Sequence, residues 1–306
     1  MKRVLVTGAS GFIGKRTAEY FQRNGYEVLG WNRSESKDTI NVIAVDMTDE
    51  DCVCSALETF SPDIIIHCAG SADVGKSVRD PSMDYHGNVT ITHNLLFALH
   101  KAGMEKTRVV YLSSAGVYGN PIALPITEDM PLNPLSPYAV HKVMCEELCK
   151  YFVNNYKMNV KVARIFSAYG AGLTKQIFWD MYQKQRNTGR LDMFGTGNES
   201  RDYIHVDDVV QSLYLLATKD SEHIIFNIAN GEEVTIREAT ELFANAAGIE
   251  KDNIAFNGVV REGDPLNWRA DISRIRELGY KKTVNMKDGI EEYVEWAKKE
   301  LEHLTV

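Results

Sequence analysis

Three side chains stand at spacings that could move a proton at a carbonyl or an alcohol. Tyr138 and Lys142 are four residues apart, so on a helix they share one face. An ammonium there stabilises charge on the phenol oxygen and can also hold a ribose, which suits Tyr138 to general acid–base work. Of the 14 tyrosines, Tyr138 alone has a lysine four residues on. Taken alone the pair is a weak signal, because this composition yields about one such pair by chance. Its place on the helix before the sixth strand, where a cofactor-side residue should lie, gives it weight. Ser136-Pro137 marks the start of the helix, the serine capping and the proline in the first turn. Upstream, Ser114 closes an apolar run, where its hydroxyl could bond a substrate oxygen. A serine there serves equally well as a turn residue, so its case leans on Tyr138 and Lys142.

A second stretch could hold a pyrophosphate. Gly8, Gly11 and Gly14 follow the apolar run Val4-Leu5-Val6 and open a helical pattern. Glycines so placed allow a tight turn and close approach of backbone to phosphate, and the helix N-terminus supplies positive dipole. Phe12 and Ile13 lie within this loop. At the end of the second strand an acid would bind a ribose 2′-hydroxyl, whereas an arginine would accommodate a 2′-phosphate. Here the sequence reads Asn32-Arg33-Ser34 with no acid before Glu35, which favours NADP over NAD; as a plain loop charge Arg33 would carry no such meaning. Asp46 and Met47 follow the third strand, where Asp46 could meet an adenine or cap the helix near Thr48. The two stretches together point to nicotinamide-dependent redox chemistry.

Alternating strands and helices must position these groups. Strands are expected at 3–7, 27–31, 41–45, 63–68, 108–112 and 159–165, with helices at 12–23, 50–60, 83–101 and 138–156. That order implies right-handed βαβ units and a parallel sheet, and the continuously apolar strands imply burial on both faces. Later elements are less regular: helices at 174–186 and 206–217, strands at 191–194 and 224–228, a capping box at Thr235-Ile236-Arg237-Glu238, and a last helix near 286–301. The expected fold is α/β: a Rossmann-type doubly wound parallel sheet with a smaller interleaved C-terminal substrate lobe. Residues 1–166 and about 202–230 would form the first unit, and 167–201 with 231–306 the second.

The bulk numbers narrow the partners. A 306-residue chain of net charge −8 with scattered charges argues against general nucleic-acid binding, which needs a basic surface. No apolar stretch reaches the roughly 20 residues needed to span a bilayer, and Met1-Lys2-Arg3 runs straight into the first strand, so no membrane role and a cytoplasmic location are expected. Five cysteines lack metal-type spacing and read as free thiols in a reducing compartment; no metal is expected.

These residues resemble the extended short-chain dehydrogenase/reductase family, in its nucleotide-sugar epimerase/dehydratase branch. The resemblance runs nearly end to end: the glycine loop, Asp46-Met47, His67-Cys68-Ala69-Gly70, Asn88, Ser113 to Gly119, Tyr138 with Lys142, Arg164 to Gly170, Arg201 to Val206, and Arg261 to Pro265. It implies that Ser114, Tyr138 and Lys142 are catalytic, and that Arg201 and Arg261 bind the diphosphate of a nucleotide sugar. Guanidinium forks suit that task on an acidic protein. The expected cofactor contacts are Gly8, Gly11, Phe12, Ile13, Gly14, Asn32, Arg33, Ser34, Asp46, Met47, Ala69, Gly70, Asn88, Tyr138 and Lys142. The expected substrate contacts are Ser77, Ser114, Ser167, Arg201 and Arg261.

Three departures refine this. Related dehydratases carry Thr-Asp-Glu where this chain has Ser114-Ala115-Gly116, and alanine and glycine cannot move the protons of water elimination. Ser167 stands where the family's Arg-x-x-Asn motif has asparagine. Arg33 replaces the acid of many NAD-retaining epimerases. The favoured expectation is an NADPH-dependent reductase of a nucleotide-linked 4-keto-6-deoxyhexose. The alternatives are a nucleotide-sugar 4-epimerase with bound NAD(P) and a non-catalytic NADP-binding regulator, for which an intact proton relay would be idle. Finally, Leu95, Leu96, Phe97 and Leu99, and Val143, Met144, Leu148 and Phe152, give two helices more apolar surface than one sheet contact needs. Related proteins pair these helices across a two-fold axis, so a homodimer is expected, unless neighbouring parts of the same chain cover the surplus.

Overall fold

A computed structural model describes residues 1–37, 40–259 and 266–302. Its strands begin with β1 (Arg3–Thr7), β2 (Glu27–Asn32), β3 (Ser36–Lys37), β4 (Asn41–Ala44), β5 (Ile64–His67), β6 (Arg108–Ser114) and β7 (Asn159–Ile165). Then come β8 (Ser167–Tyr169), β9 (Leu191–Met193), β10 (Ser200–Arg201), β11 (Tyr203–His205), β12 (Ile225–Ile228), β13 (Val234–Thr235) and β14 (Ile254–Phe256). The helices are α1 (Phe12–Arg23), α2 (Glu50–Phe60), α3 (Val74–Arg79), α4 (Pro81–Tyr85), α5 (Ile91–Lys101) and α6 (Pro137–Tyr156). They continue with α7 (Gln176–Thr188), α8 (Val206–Thr218), α9 (Ile236–Ala247), α10 (Ser273–Glu277) and α11 (Met286–Glu302).

The main sheet runs β12-β7-β6-β5-β1-β2-β4-β3. Seven strands are parallel, and only the short edge strand β3 is antiparallel to its neighbour β4. The expected doubly wound parallel sheet is therefore present. From β1 the chain moves one way through β2 and β4, then returns to β5 on the other side of β1 and continues outward. That reversal places a crevice beyond the carboxyl ends of β1 and β5, where open α/β sheets bind ligands.

Alternation along β1 shows how both faces are filled. Val4 and Val6 pack with Ala18 and Phe21 of α1 and with Val209 and Leu213 of α8. Leu5 points the opposite way, among Val53 and Leu57 of α2, Leu95 and Leu99 of α5, and Cys145 and Cys149 of α6. A third core, of Phe178, Met181 and Tyr182 on α7, Phe243 on α9 and Tyr293 on α11, lies in the C-terminal lobe. Residues 225–228 return to the main sheet beside β7, which interleaves the two parts of the chain. The Thr235–Glu238 capping box forms: the Glu238 amide donates to Thr235 Oγ1 at 3.1 Å, and the Thr235 amide donates to Glu238 Oε2 at 2.8 Å.

Local details depart from the sequence pattern. The helix expected over 83–101 is present, but it widens into a π-type turn at His86–Thr90, between α4 and α5. Asp46 does not cap α2; its Oδ1 accepts from Thr48 in a turn, and Asp49 is the cap, accepting from the Cys52 amide at 3.1 Å. The apolar surplus on α5 and α6 is mostly covered within the chain, since Leu95, Leu96, Leu99 and Phe152 are buried. What stays outward on α6 is the stripe Val140, Met144 and Tyr151.

Beneath the crevice, His67 stitches three elements together. It is buried, with Nδ1 2.7 Å from Thr7 Oγ1 on β1 and Nε2 3.2 Å from Thr92 Oγ1 on α5. Burial, helped by the Lys142 charge, pushes its pKa down from 6.5 to about 3, so the ring is neutral. The unfolded chain binds a proton there below pH 6.5 and the folded chain does not, so this group's contribution to stability falls as pH drops from 6.5 towards 3. His67→Gln should therefore flatten the acid limb of stability against pH, measured as urea midpoints from about pH 7 down to about pH 4. A variant slope equal to the wild type would refute this.

Candidate active site

The crevice opens into a cleft of about 720 Å³ whose walls include the glycine loop, the ends of β5, β6 and β7, and the start of α7. The loop is tied to β2 by the Gly8 amide, which donates to the Trp31 carbonyl at 2.8 Å. Gly8 has φ +65, which glycine alone adopts without strain. A Cβ at Gly14 would lie 2.2 Å from the Gly8 carbonyl oxygen, so only glycine lets α1 start this close to the loop. Gly11 caps α1 without a side-chain hydrogen bond, and no acid stands in its first turn. The helix start is thus a concave, backbone-lined end with unspent positive dipole, and it fits an anionic group.

Tyr138 stands in the first turn of α6, capped by Ser136, whose Oγ accepts from the Ala139 amide at 3.2 Å, with Pro137 at the helix start. Lys142 lies one turn on, its Nζ 5.8 Å from the Tyr138 ring centroid and 4.9 Å from that of Tyr111. Lys142 is buried and donates to the Leu112 carbonyl at 2.9 Å, which anchors α6 to β6. Ser114, two residues along that strand, is half-buried and lines the same cleft; its Oγ accepts from the Gly116 amide at 3.1 Å. The three proposed catalytic side chains therefore share one wall. Behind Ser114, Ala115 is buried and Gly116 bears no side chain, so neither adds a proton-moving group.

One turn past Lys142, Glu146 extends the same stripe into the interior. Its carboxylate accepts from Ser113 Oγ at 2.5 Å and from Arg164 Nε and Nη2, the latter at 2.6 Å. Arg164 also donates to the Tyr118 hydroxyl at 2.7 Å and to the Glu128 carbonyl at 2.9 Å. Burial opposes the arginine's charge, but Glu146 and Tyr118 outweigh it and hold the pKa above its ordinary value. The i+4, i+8 continuation from Tyr138 was the available signal for Glu146; nothing in the sequence marked Trp268, which lines the cleft with its indole donating to the Gly119 carbonyl.

The remaining expected residues divide by place. Phe12, Ile13, Gly70 and Ser167 line the cleft, and Ala69 donates its amide to Thr7 Oγ1 at 3.0 Å just below it. Asn88, on the wide turn, is buried with Oδ1 unpartnered in the protein; a Cβ at Gly70 would lie 2.8 Å from that oxygen and 3.6 Å from Lys142 Nζ. An unsatisfied acceptor here fits a ligand donor. Asn32 is half-buried, and Arg33 and Ser34 are exposed at the end of β2. Met47 is buried, and Asn94 holds its turn by donating to the Met47 and Thr48 carbonyls. Arg201 lines the cleft, its guanidinium 5.7 Å from the Trp268 ring centroid and Nη1 donating to the Ser200 carbonyl at 2.8 Å. Arg261 lies outside the described residues. Ser77 is not open to a substrate: it is fully buried, donates to the Val74 carbonyl at 2.7 Å and accepts from the Tyr138 amide at 3.1 Å. Its place in the structure is beneath the start of α6. Cys68 lines the cleft as a neutral thiol, since burial pushes its pKa up to about 12 against the Lys142 charge.

The model of the NAD dependent epimerase/dehydratase family matches residues 4–229. The chain belongs to that family. Among its relatives, a UDP-glucose 4-epimerase of Mycolicibacterium smegmatis is 35% identical, covering 96% of this chain and 98% of its own. A GDP-6-deoxy-D-mannose reductase of Pseudomonas aeruginosa is 30% identical over 94% and 95% of the two chains. The solved UDP-glucuronic acid 4-epimerase of Bacillus cereus, in complex with UDP-glucuronic acid and NAD, superimposes with a TM-score of 0.86 at 25% identity, covering 97% of this chain and 99% of that one. The family is one of nucleotide-sugar epimerases, dehydratases and reductases, and its doubly wound sheet is the one described above. Among the described residues no helix is long and apolar enough to cross a membrane, and no cluster of potential metal ligands occurs.

The 2.2 Å approach at Gly14 gives a direct test of the loop. Gly14→Ala should cut dinucleotide affinity by roughly a hundredfold, because the turn must open where the backbone would meet phosphate. Titration calorimetry with NAD and NADP would measure it, and unchanged affinity for both would exclude the loop as the binding element.

Proposed function

We propose that the protein moves hydride reversibly at C4 of a nucleoside-diphosphate hexose, and that its net reaction is 4-epimerisation. The observation carrying this reading is the group Ser114, Tyr138 and Lys142 on the cleft wall, with Ala115 and Gly116, which bear no proton-moving side chain, next along the chain from Ser114. Water elimination needs further side chains to add and remove protons, which argues against a dehydratase. The relatives that are 4-epimerases over nearly the full chain length favour epimerase over reductase, reversing the order that Arg33 alone suggests.

In this reading Gly8, Gly11 and Gly14 face the pyrophosphate with Phe12 and Ile13, Asn32 to Ser34 meet the adenosine ribose, and Asp46 and Met47 the adenine. Ala69, Gly70 and Asn88 lie on the nicotinamide side, and Lys142 holds its ribose. Bound nicotinamide supplies hydride acceptance and return at C4. Tyr138 takes the proton of the 4-hydroxyl as that carbon is oxidised, then returns it to the ketone oxygen once the sugar has presented its other face. Ser114 donates a hydrogen bond to the same oxygen and steadies it through both steps. Arg201, laid against Trp268, takes the diphosphate, with Arg261 and Ser167 as further contacts.

A second reading, NADPH-dependent reduction of a 4-keto-6-deoxyhexose nucleotide, draws on Arg33 and on the reductase relative. On the same ground NADP(H) is the proposed preferred cofactor, although the Bacillus cereus neighbour holds NAD. We further propose a homodimer through the outward stripe Val140, Met144 and Tyr151, with light scattering as its measure.

The deciding assay incubates the protein with UDP-galactose and either cofactor and follows UDP-glucose formation. Wild type should turn over without net cofactor consumption, and Tyr138→Phe should lose roughly 10²-fold or more while keeping cofactor affinity. Stoichiometric NADPH oxidation by a 4-keto-sugar nucleotide, with no epimerisation, would establish the reductase instead. Separately, Arg33→Asp should weaken NADPH binding and leave NADH equal or better; equal wild-type affinities for the two would end the NADP assignment.

A further inference from the structure

We infer that Glu146 is a positioning residue for the reaction: through Ser113 and Arg164 it sets the register of α6 against β6, and so aligns Tyr138 with Ser114. The inference rests on the C4 redox reading and extends it to residues that touch neither substrate nor cofactor. Tyr138, Lys142 and Glu146 occupy one face of α6 at i, i+4 and i+8, and the last two grip the end of β6. Lys142 donates to the Leu112 carbonyl at 2.9 Å, and Glu146 accepts from Ser113 Oγ at 2.5 Å. Tyr138 lies beside Ser114: a Cβ at Gly116 would stand 3.3 Å from Ser114 Oγ and 4.0 Å from Tyr138 Cε1.

Arg164 closes the arrangement from the other side. Its Nε and Nη2 hold both oxygens of Glu146, while Nη1 holds the Tyr118 hydroxyl. Its guanidinium carbon also lies 4.8 Å from the Tyr118 ring centroid. Tyr118 ends the short turn that follows Ser114, so Ser114 is bracketed: the residue before it is tied to Glu146, and the turn after it to Arg164. Tyr118 is fixed further by donating to Asn227 Oδ1 at 2.7 Å.

The pair itself is a poor device for stability alone. Glu146 and Arg164 are 0% and 1% exposed, and a fully desolvated ion pair is often no more stable than apolar residues of similar shape. What such a pair provides that leucines cannot is a single register, because a slide of the helix would leave a buried charge unpaired. A displacement of about 1 Å between acid and substrate oxygen can cost up to a hundredfold in rate.

The test uses Ser113→Ala, which removes the β6 bond and leaves the buried ion pair whole, so the protein should stay folded with at most a modest drop in thermal midpoint. With UDP-galactose and cofactor, its kcat should fall roughly tenfold while KM and cofactor affinity stay within about twofold. The loss should largely vanish in a Tyr138→Phe background, since the misalignment acts through the acid; a general packing defect would add instead. Glu146→Gln, which keeps the shape, should show the same split wherever it folds. Full kcat in folded Ser113→Ala, or an additive double variant, would overturn the inference. If wild type turns over no nucleotide sugar, the functional reading fails on its own, and register is read without substrate. In that case 3-fluorotyrosine at position 138, assigned by its loss in Tyr138→Phe, should shift its fluorine resonance in Ser113→Ala; an unmoved resonance overturns the inference.

Discussion

Chain connectivity around β1 governs where anything can bind. The crossover through α1 leaves β1 in one direction and the return to β5 arrives on the other side, so no connecting helix can lie over the gap beyond Thr7 and His67. Four of the assigned groups hang from that edge, the glycine loop from β1, Gly70 from β5, Ser114 from β6 and Ser167 just past β7, and α6 brings Tyr138 and Lys142 to it. The opposite edge is closed by polar contacts to the loop after α8. Arg108 donates to the Lys219 carbonyl there, and Lys161 donates to the Ser221 and His223 carbonyls. One edge of the sheet is spent on cohesion and the other is left for ligand.

Features set by neighbours in the chain are legible in the amino-acid sequence. The glycine loop, the Ser136 cap, the Tyr138–Lys142 face and the apolar strands each follow from spacing within one element, and each stands where the pattern places it. Features set by partners distant in sequence are not legible in this way. The wide turn at His86–Thr90 loosens a segment whose local pattern reads as regular helix, and Ser77 is buried because α3 folds under the start of α6. Asp46 and Asp49 are both plausible caps by type, and only the path of the chain decides between them. Arg164 could be named from a family pattern, but its burial against Glu146 depends on a contact 18 residues away in sequence.

Carboxylates carry much of the joining between the two parts of the chain. Asp202, buried, accepts from the amides of Asn230, Gly231 and Ala270. Asp208 accepts from Thr283 and from the Val284 amide, fixing the segment that leads into α11. Burial raises the Asp202 pKa to about 7 against those three donors. Such joints depend on direction rather than on apolar area, which suits an interface that must keep one geometry while the cleft between its halves stays open.

The bare start of α1 has a further consequence. A helix whose first amides meet no capping side chain is an unfinished element, and whatever anion settles there completes it. A dinucleotide bound there would act as a piece of the fold delivered from outside, adding stability that rises with its concentration. Without such an anion, the segment that would meet it is the first part of the chain expected to open.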